Sequence, residues 1–499
     1  MIFIDINRIL LLLLINIVLI NSLNMNNLGN LFRGSSSQSQ STSSNINNEL
    51  IFSKYDWTTL ENELSILPYV QEMEKQKALR EKGVCDGVQP DGKTTLRLFD
   101  AQKESDVRVT FYGDKAMWCP YSSKVWMLLE EKQIPHRIER VNMRSYGDKP
   151  ESFLKKVPRG LLPAVEIDGK IQTESLDIMF NLEKLFSSPK HLQMWPSEDN
   201  EELLQKAIYC MRLERQLFSE WCGLVFRPDI GPGGGRSRQT FEMTMDLVDK
   251  ELGKTDGPWF LGGVNPSIVD LQYITHVERM VASVPYWKGF IIRGNGRFPN
   301  IDKWFLAFEK RPAYMATKSD YYTHVQDIPP QYGPGFSSPE AKKYADEIDG
   351  KDDSWKLPLK KLSMNDLEPM NPNLDTHDAA IEAAWKLLNN REAIKKFALR
   401  GDGQPGRKQF SAPLADPYAI PNMNLDEQMD AILRLVISAM MTNNTNDIKF
   451  DIIPEDQRTK AALGRCIDYL RDRIGVPRDM TFQAARQLRA HLNWAKQQL

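Results

Sequence analysis

The spacing of apolar residues divides the chain into an apolar leader, a polar tract and a long folded part. Apolar side chains dominate Ile9 to Ile20, a run shorter than the roughly 20 residues of a membrane-spanning helix. This length predicts a signal peptide over residues 1–23, with a signal anchor as the alternative. Residues 24–50 are rich in Ser and Asn and almost free of acidic side chains, which predicts a disordered, transit-like segment.

The order of these two segments bears on localisation. A signal peptide followed by a Ser-rich, acid-poor segment is similar to the two-part address of algal plastids that lie inside the secretory system. We therefore expect a plastid location, and the alternative is the secretory pathway or the extracellular space. No membrane span is expected in the mature chain, since no other run of apolar residues is long enough.

Periodic apolar positions predict the first folded elements. Residues 51–106 are expected to form a helical lead-in, in which apolar side chains recur at helical spacing: Leu60, Leu64, Leu67, Val70 and Met73. Residues 107–190 then follow the order βαβαββα, which indicates a small sheet with flanking helices. The predicted strands are 107–112, 136–142, 164–167 and 170–172, and the predicted helices are 120–132, 151–156 and 175–186.

The remainder of the chain is predominantly helical in pattern. Residues 196–325 are an all-helical domain, with helices expected at 203–221, 240–252, 267–281 and 301–310. A Pro- and Gly-rich passage predicts a linker at 326–340, and residues 341–499 form a further helical extension. In that extension, helices are expected at 379–399, 426–441, 459–473 and 481–498.

Composition narrows the class of function. Lys and Arg total 64 against 66 Asp and Glu, so the chain has no electrostatic reason to bind nucleic acid. Its five cysteines are far apart and odd in number, which argues against a disulfide framework or a zinc ribbon. The six histidines form no i, i+4 pair, so no metal site is predicted.

The main chemical signal is Cys119, which lies between a predicted strand and a predicted helix in Trp118-Cys119-Pro120-Tyr121-Ser122. A cysteine at a helix N-terminus faces unpaired N–H groups and the positive end of the helix dipole, which favour the thiolate. Pro120 suits the first helical turn, and Ser122 can donate its hydroxyl to the sulfur. Because position 122 is not a cysteine, an external thiol must release a mixed disulfide. The alternative is a Cys-Pro turn without chemistry.

Two further motifs predict a small peptide as ligand. Pro163 comes directly before a predicted strand, where a cis bond would leave backbone groups open to a peptide-like ligand at the sheet edge. Glu174 and Ser175 begin the next predicted helix, where N–H groups and the Ser175 hydroxyl can bind a carboxylate and Glu174 an ammonium. The alternatives are a turn proline and an ordinary helix cap.

Five motifs in this order resemble the glutathione transferase superfamily, and most of all its cysteine-type omega, lambda and dehydroascorbate reductase members. They are Cys119-Pro120-Tyr121-Ser122, Asp148-Lys149-Pro150-Glu151-Ser152-Phe153, Lys155-Lys156-Val157-Pro158, Gly160-Leu161-Leu162-Pro163 and Glu174-Ser175. In the helical domain, Ser267-Ile268-Val269-Asp270 is similar to the family's capping box, in which Ser267 and Asp270 bind each other's backbone. The end of the chain resembles tails of plastid transferase-like proteins of plants and algae.

The resemblance covers residues 107 to about 325 and implies the fold. This is an α/β thioredoxin-like N-terminal domain and an all-α glutathione transferase domain, followed here by an additional, mostly helical segment. The resemblance also implies that Cys119 forms a mixed disulfide with glutathione, supported by Trp118, Pro120, Tyr121 and Ser122. Glutathione would be a co-substrate, and no metal is implied.

The same resemblance assigns the remaining ligand-binding residues. Pro163 would be a cis proline, and Leu162 or Val165 would bind the cysteinyl backbone of glutathione. Glu174 and Ser175 would hold its γ-glutamyl end. Lys149 matches a position that approaches glutathione, with a solvated surface lysine as the alternative. The acceptor pocket would lie near Trp118, Tyr121 and helix 203–221.

Two functions remain open from the sequence. The first is a glutathione-dependent thiol transferase or reductase that acts on a small-molecule or protein-disulfide acceptor, including dehydroascorbate, with conjugation as a minor branch. The second is a non-catalytic scaffold on the transferase fold, since a fold does not imply a function. We also expect either the homodimer common in the family or a protein partner for the C-terminal extension.

Overall fold

The computed structural model describes residues 55–143, 146–228, 235–370, 376–406, 413–448, 450 and 456–499. The predicted signal peptide and Ser-rich segment therefore lie outside the described residues. Among the helices that are described, none is both long and apolar enough to cross a membrane.

Two helices precede the sheet, where the sequence pattern predicts one continuous helical lead-in. They are α1 (Trp57–Ser65) and α2 (Pro68–Glu81). The break falls at Pro68, because proline has no N–H for the helical ladder and favours a first turn. Asp56 caps α1 with its carboxylate 2.7 Å from the backbone nitrogen of Thr58.

A five-stranded sheet follows, with the strand order β1-β3-β2-β4-β5. The strands are β1 (Leu96–Arg97), β2 (Val109–Asp114), β3 (His136–Val141), β4 (Ala164–Ile167) and β5 (Lys170–Thr173). Strands β2 and β3 are parallel, and the other neighbouring pairs are antiparallel. The sequence pattern misses β1, because two residues are too few to show an alternation.

Three helices belong to this sheet, and they match the predicted ones closely. They are α3 (Pro120–Glu131), α4 (Glu151–Lys156) and α5 (Ser175–Leu185). Val125, Leu128 and Leu129 of α3 are completely buried, as their helical spacing predicts. Most of the other α3 residues are buried as well, because α3 packs against the sheet on one side and a helix of the second domain on the other.

The second domain is all-helical, in agreement with the sequence. Its helices are α6 (Glu201–Val225), α7 (Arg236–Leu252), α8 (Ile268–Lys288), α9 (Pro299–Phe308), α10 (Pro312–Met315) and α11 (Tyr321–Tyr332). Helix α8 is buried along its whole length except at Tyr286, because α3, α6 and α11 all pack against it.

Helix α8 begins with the expected capping box. The Asp270 carboxylate accepts a hydrogen bond of 2.8 Å from the Ser267 N–H, and the Ser267 hydroxyl accepts one of 3.5 Å from the Asp270 N–H. The other Asp270 oxygen accepts hydrogen bonds from the Phe260 N–H and the Trp304 indole. The box therefore joins the start of α8 to the preceding loop and to α9.

The Pro- and Gly-rich passage at 326–340 is not a free linker, so this prediction was wrong. Its first seven residues complete α11, which contains Pro329 and Pro330. The following residues pack on the second domain, where the Phe336 N–H donates to the Val225 carbonyl and the Ser338 N–H to the Trp287 carbonyl. The proline and glycine residues here indicate an irregular backbone that packs on the second domain, not a flexible one.

The C-terminal extension is helical, as predicted. Its helices are α12 (Lys342–Ile348), α13 (Thr376–Asn389), α14 (Arg391–Ala398), α15 (Asp426–Thr442), α16 (Gln457–Arg471) and α17 (Phe482–Gln497). The core of this extension includes Leu60, Leu64 and Val70 from α1 and α2. The predicted lead-in is therefore no separate unit: its helices pack with the extension, and its β1 strand belongs to the sheet.

The extension packs directly on α11 through buried polar contacts. The Arg489 guanidinium lies 2.5 Å from the Asp320 carboxylate, and both side chains are almost completely buried. The Val476 N–H donates to the Thr323 hydroxyl at 3.2 Å. The extension is thus joined to the second domain at the N-terminus of α11.

We expect the Arg489–Asp320 pair to be required for stability. Arg489→Met would leave the Asp320 charge buried and unpaired, which costs about 3–5 kcal/mol. As a control, Arg465→Met breaks the exposed pair with Asp402 and should cost no more than about 1 kcal/mol. Equilibrium unfolding by urea gives both values, and equal costs for the two variants would contradict this expectation.

Candidate active site

Three loops meet at one end of the sheet, and each carries a predicted site residue. In the strand register, Tyr112 of β2 pairs with Ala164 of β4, and Ala164 pairs with Thr173 of β5. Cys119 follows the end of β2, Pro163 directly precedes Ala164, and Glu174 directly follows Thr173. The sheet therefore gathers three residues that lie up to 55 positions apart in the chain.

Cys119 is the N-cap residue of α3, the position that its sequence motif predicts. Its side chain is buried, since the residue is only 7% exposed. The N–H groups of Tyr121 and Ser122 and the Ser122 hydroxyl face the sulfur and lower its pKa. The Ser122 hydroxyl has no hydrogen-bond partner within the described part of the chain. It is therefore available to donate to a thiolate.

The net effect on the Cys119 thiol is opposite to the sequence-based expectation of a stabilised thiolate. Burial raises the pKa of the thiol, and the Asp114 carboxylate raises it further. These effects outweigh the helix N–H groups in the structure. The motif predicts the N–H groups correctly, but it contains no information on burial or on the carboxylate.

Asp114 is a site residue that the sequence analysis misses. It is the last residue of β2, and its carboxylate accepts hydrogen bonds from the N–H of Trp118 at 2.7 Å and of Cys119 at 3.2 Å. Burial raises the pKa of this carboxyl group. The signal in the sequence is an acidic residue at the end of an apolar strand, five positions before the cysteine.

The second domain fixes Trp118, the residue before the cysteine. The Trp118 indole donates to Nδ1 of His324 on α11 at 3.1 Å. Arg279 of α8 donates to the Trp118 carbonyl, and its guanidinium lies 4.5 Å from the centre of the indole. No local pattern predicts these contacts, because Arg279 and His324 lie more than 150 residues from Trp118 in the chain.

The Leu162–Pro163 peptide bond is cis in the structure. Of the two candidates for binding the glutathione backbone, Val165 does not fit. It is a completely buried residue of β4, which pairs with β2 on one side and β5 on the other, so its backbone groups belong to the sheet. Leu162 lies before the strand and outside the ladder, which leaves it as the candidate. Leu162 and Pro163 lie at the N-terminal end of β4, not along a lateral edge of the sheet.

Glu174 and Ser175 lie at the N-terminus of α5. Ser175 is the first residue of the helix, and Glu174 is its N-cap, with a left-handed φ of 67°. This φ is uncommon for a residue other than glycine and is often found at functional sites. Glu174 is exposed, and its carboxylate is 3.8 Å from the Arg159 guanidinium. Both residues are therefore accessible to a ligand at the sheet end.

Lys149 is half-buried rather than a fully solvated surface lysine. Its ammonium donates to the Asn142 carbonyl. Burial lowers the pKa of this lysine, while Asp114 and Cys119 act in the opposite direction, which places its charge near both groups. The contact of Lys149 with glutathione stays a prediction.

Aromatic residues fill the predicted acceptor region between the two domains. Tyr121 lies edge-on to His276, with 5.7 Å between ring centres. Trp118 and Trp221 both pack against Tyr332 at the end of α11.

Other candidate sites in the described residues are less well suited to chemistry. A cavity of about 570 Å³, to which Cys119 does not contribute, is lined by residues 100–102, 106, 108, 135 and 185–191. Its basic residues Arg108 and Lys190 already pair with Asp168 and Asp100. The described residues contain no group of three His, Cys, Asp or Glu side chains that could hold a metal ion.

The sequence matches two family models and several curated proteins. Residues 118–185 match the N-terminal domain of glutathione S-transferase, and residues 232–307 match its C-terminal domain. Protein IN2-1 homolog A of Oryza sativa subsp. japonica is 30% identical over 207 residues, which are 41% of this chain and 78% of that protein.

Two relatives from Arabidopsis thaliana carry transferase names. Glutathione S-transferase DHAR2 is 38% identical over 174 residues, which are 35% of this chain and 72% of that protein. Glutathione S-transferase L3 is 28% identical over 209 residues, which are 40% of this chain and 79% of that protein. The chain therefore belongs to the glutathione S-transferase family, in which glutathione is the co-substrate, and it is similar to the lambda and dehydroascorbate reductase types.

Proposed function

We propose that the protein is a glutathione-dependent thiol transferase or reductase that uses Cys119 as its nucleophile. The observation that supports this most is the register of the sheet, which gathers Cys119, Pro163 and Glu174 at one end. A peptide held between these motifs can present its own sulfur to the cysteine. Lys149 and Ser122 add a positive charge and a hydroxyl donor near the same sulfur.

The reaction consists of two exchange steps. In the first, the Cys119 thiolate attacks the glutathione sulfur of a mixed disulfide, so that a Cys119–glutathione disulfide forms and the acceptor leaves as a thiolate that takes up a proton. In the second, the thiolate of another glutathione attacks this disulfide, which releases oxidised glutathione and restores Cys119. With dehydroascorbate as acceptor, the two electrons again come from two glutathione molecules.

Each ligand-binding residue has a role in this scheme. Leu162 offers its backbone to the cysteinyl part of glutathione, and its position outside the sheet ladder supports that role. The Ser175 hydroxyl and the N-terminal N–H groups of α5 bind the γ-glutamyl carboxylate, and Glu174 binds the ammonium. The acceptor occupies the aromatic region near Trp118 and Tyr121.

The second candidate function is a non-catalytic scaffold. Two observations favour it: Cys119 is only 7% exposed, and both burial and Asp114 raise the pKa of its thiol. In this case the docked C-terminal extension would be the functional part of the protein. Glutathione turnover by the full chain separates the two candidates.

We also propose that the protein functions in a plastid, with residues 1–50 as the address. The two-part pattern of this segment is the argument for it. The proposal predicts that a fluorescent protein fused to residues 1–50 enters the plastid of an alga with a secretory-type plastid envelope. Export to the medium would instead support the secretory alternative.

We expect Cys119→Ser to abolish turnover of both a glutathione mixed disulfide and dehydroascorbate. Loss of the nucleophile should lower kcat by at least about a hundredfold, because serine is a poor nucleophile without an activating base. Cys85→Ser is the matched control, since Cys85 is a half-buried cysteine outside the site, and it should retain activity. Activity that survives in Cys119→Ser would contradict the proposed nucleophile, and an inactive parent without glutathione binding would support the scaffold.

We expect Ser175→Ala and Glu174→Gln to weaken glutathione binding. Each variant loses one polar contact to the γ-glutamyl end, so the KM for glutathione should increase about tenfold while kcat changes little. Glu198→Gln removes an exposed carboxylate before α6 and is the control. Steady-state kinetics with varied glutathione give both constants, and an unchanged KM in both site variants would disprove this assignment.

A further inference from the structure

Two buried groups of opposite charge lie beside Cys119, and neither belongs to its sequence motif. Asp114 approaches from the end of β2, and Lys124 lies five residues after the cysteine on α3. Both side chains are almost completely buried, at 1% and 2% exposure. A buried charge acts strongly on its neighbours, because little water is present to screen it.

Asp114 holds the backbone on which Cys119 lies. Its carboxylate accepts two hydrogen bonds, from the N–H of Trp118 and the N–H of Cys119 itself. This arrangement positions the start of α3, but it also places a carboxylate next to the sulfur. A negative carboxylate disfavours the thiolate, because the two charges repel each other.

Lys124 lies between the cysteine loop and the second domain, with its ammonium 5.3 Å from the ring centre of Tyr121, two residues after Cys119. Its ammonium donates a hydrogen bond of 2.6 Å to the Gln272 side chain of α8, and Gln272 in turn donates one of 2.9 Å to Glu214 of α6. Burial lowers the pKa of Lys124 to about 8, while Glu214 and Cys119 act in the opposite direction. In its charged form, Lys124 favours a nearby thiolate, because opposite charges attract each other.

We propose that Asp114 and Lys124 are opposing positioning residues of Cys119, with Asp114 holding the cysteine loop and resisting loss of the thiol proton and Lys124 favouring it. This proposal rests on the proposed function, in which Cys119 reacts as a thiolate. It goes beyond that function by naming two residues that set the pH at which the cysteine reacts. Through Gln272, the second domain takes part in this control.

Other charged and titratable groups face Asp114, Lys124 or Cys119, and every variant of the test keeps them. Arg140 of β3 and Arg279 of α8 face Asp114, as does Asp327 of α11. The groups that face Cys119 or Lys124 are Lys149, Tyr121, Tyr332, Glu214 and Arg215. Because every variant keeps these groups, a difference between variants reports the exchanged charge.

The test is the rate of Cys119 alkylation by iodoacetamide in the full chain, measured from about pH 6 to about pH 10 and resolved from the other cysteines by peptide mass spectrometry. Asp114→Asn keeps an oxygen that accepts the two N–H bonds and removes the charge. Its alkylation at pH 7 should be about tenfold faster, with the midpoint of the profile at lower pH. Lys124→Met should be about tenfold slower, with the midpoint at higher pH.

Two matched controls lie at the far end of the same helix. Glu130→Gln and Lys132→Met remove a buried carboxylate and a buried ammonium about 16 and 20 Å along the axis of α3 from Cys119, and both should leave the profile of the parent unchanged. Lys124→Arg keeps the positive charge and should also retain the parent profile. If Lys124→Met does not fold, Lys124→Gln removes the same charge and can still bond to Gln272.

The proposal is supported if the midpoint of the alkylation profile moves to lower pH in Asp114→Asn and to higher pH in Lys124→Met. It is overturned if both midpoints equal that of the parent, or if both move in the same direction. Alkylation requires neither glutathione nor an acceptor, so this result is independent of turnover. Shifted midpoints in a protein without turnover would contradict only the proposed function. Turnover with unshifted midpoints would contradict only the present inference.

Discussion

The burial of helix α8 is the constraint on which the arrangement of the site depends. A helix without a solvent face must satisfy its polar side chains inside the protein, because a buried polar group without a partner is costly. Asp270 accordingly binds the preceding loop and Trp304, Gln272 binds Lys124 and Glu214, and Arg279 binds the Trp118 carbonyl. Two of these contacts reach α3 and the loop before it. The packing of the second domain thus determines where the cysteine of the first domain lies.

The parts of the fold that the sequence predicts are those governed by local periodicity. The helix at 151–156 and the strand at 164–167 have the predicted bounds, since each alternation or helical stripe is complete within a few residues. The sequence pattern misses the two-residue strand Leu96–Arg97, because two residues are too few to show an alternation. It also misses the helix break at Pro68, because helical spacing continues across the break. The wrong prediction of a linker at 326–340 shows that proline and glycine indicate irregular backbone but not whether it packs.

In the candidate site, too, the residues that local sequence predicts differ from those that depend on distant contacts. Cys119, Pro163, Glu174 and Ser175 are recognisable because each stands at a predicted boundary of a helix or strand. The sequence leaves Leu162 and Val165 as alternatives, because only the strand register shows that the Val165 backbone is already paired on the sheet. The acidity of Cys119 could not be read from its motif, since it depends on burial and on Asp114. Lys124 is in principle visible, because it shares a helix face with the buried Leu128 four residues later.

The packing of α1 with the extension has a consequence for how the chain is made. The Trp57 indole donates to Asp430, which is 373 residues further along the chain. At typical translation rates of about 5–20 residues per second, α1 leaves the ribosome roughly 20 to 75 seconds before its partner helix α15. During this interval the apolar faces of α1 and α2 are uncovered, while the transferase-like domains between them can already fold. The first two helices therefore expose apolar surface until synthesis of the chain is nearly complete.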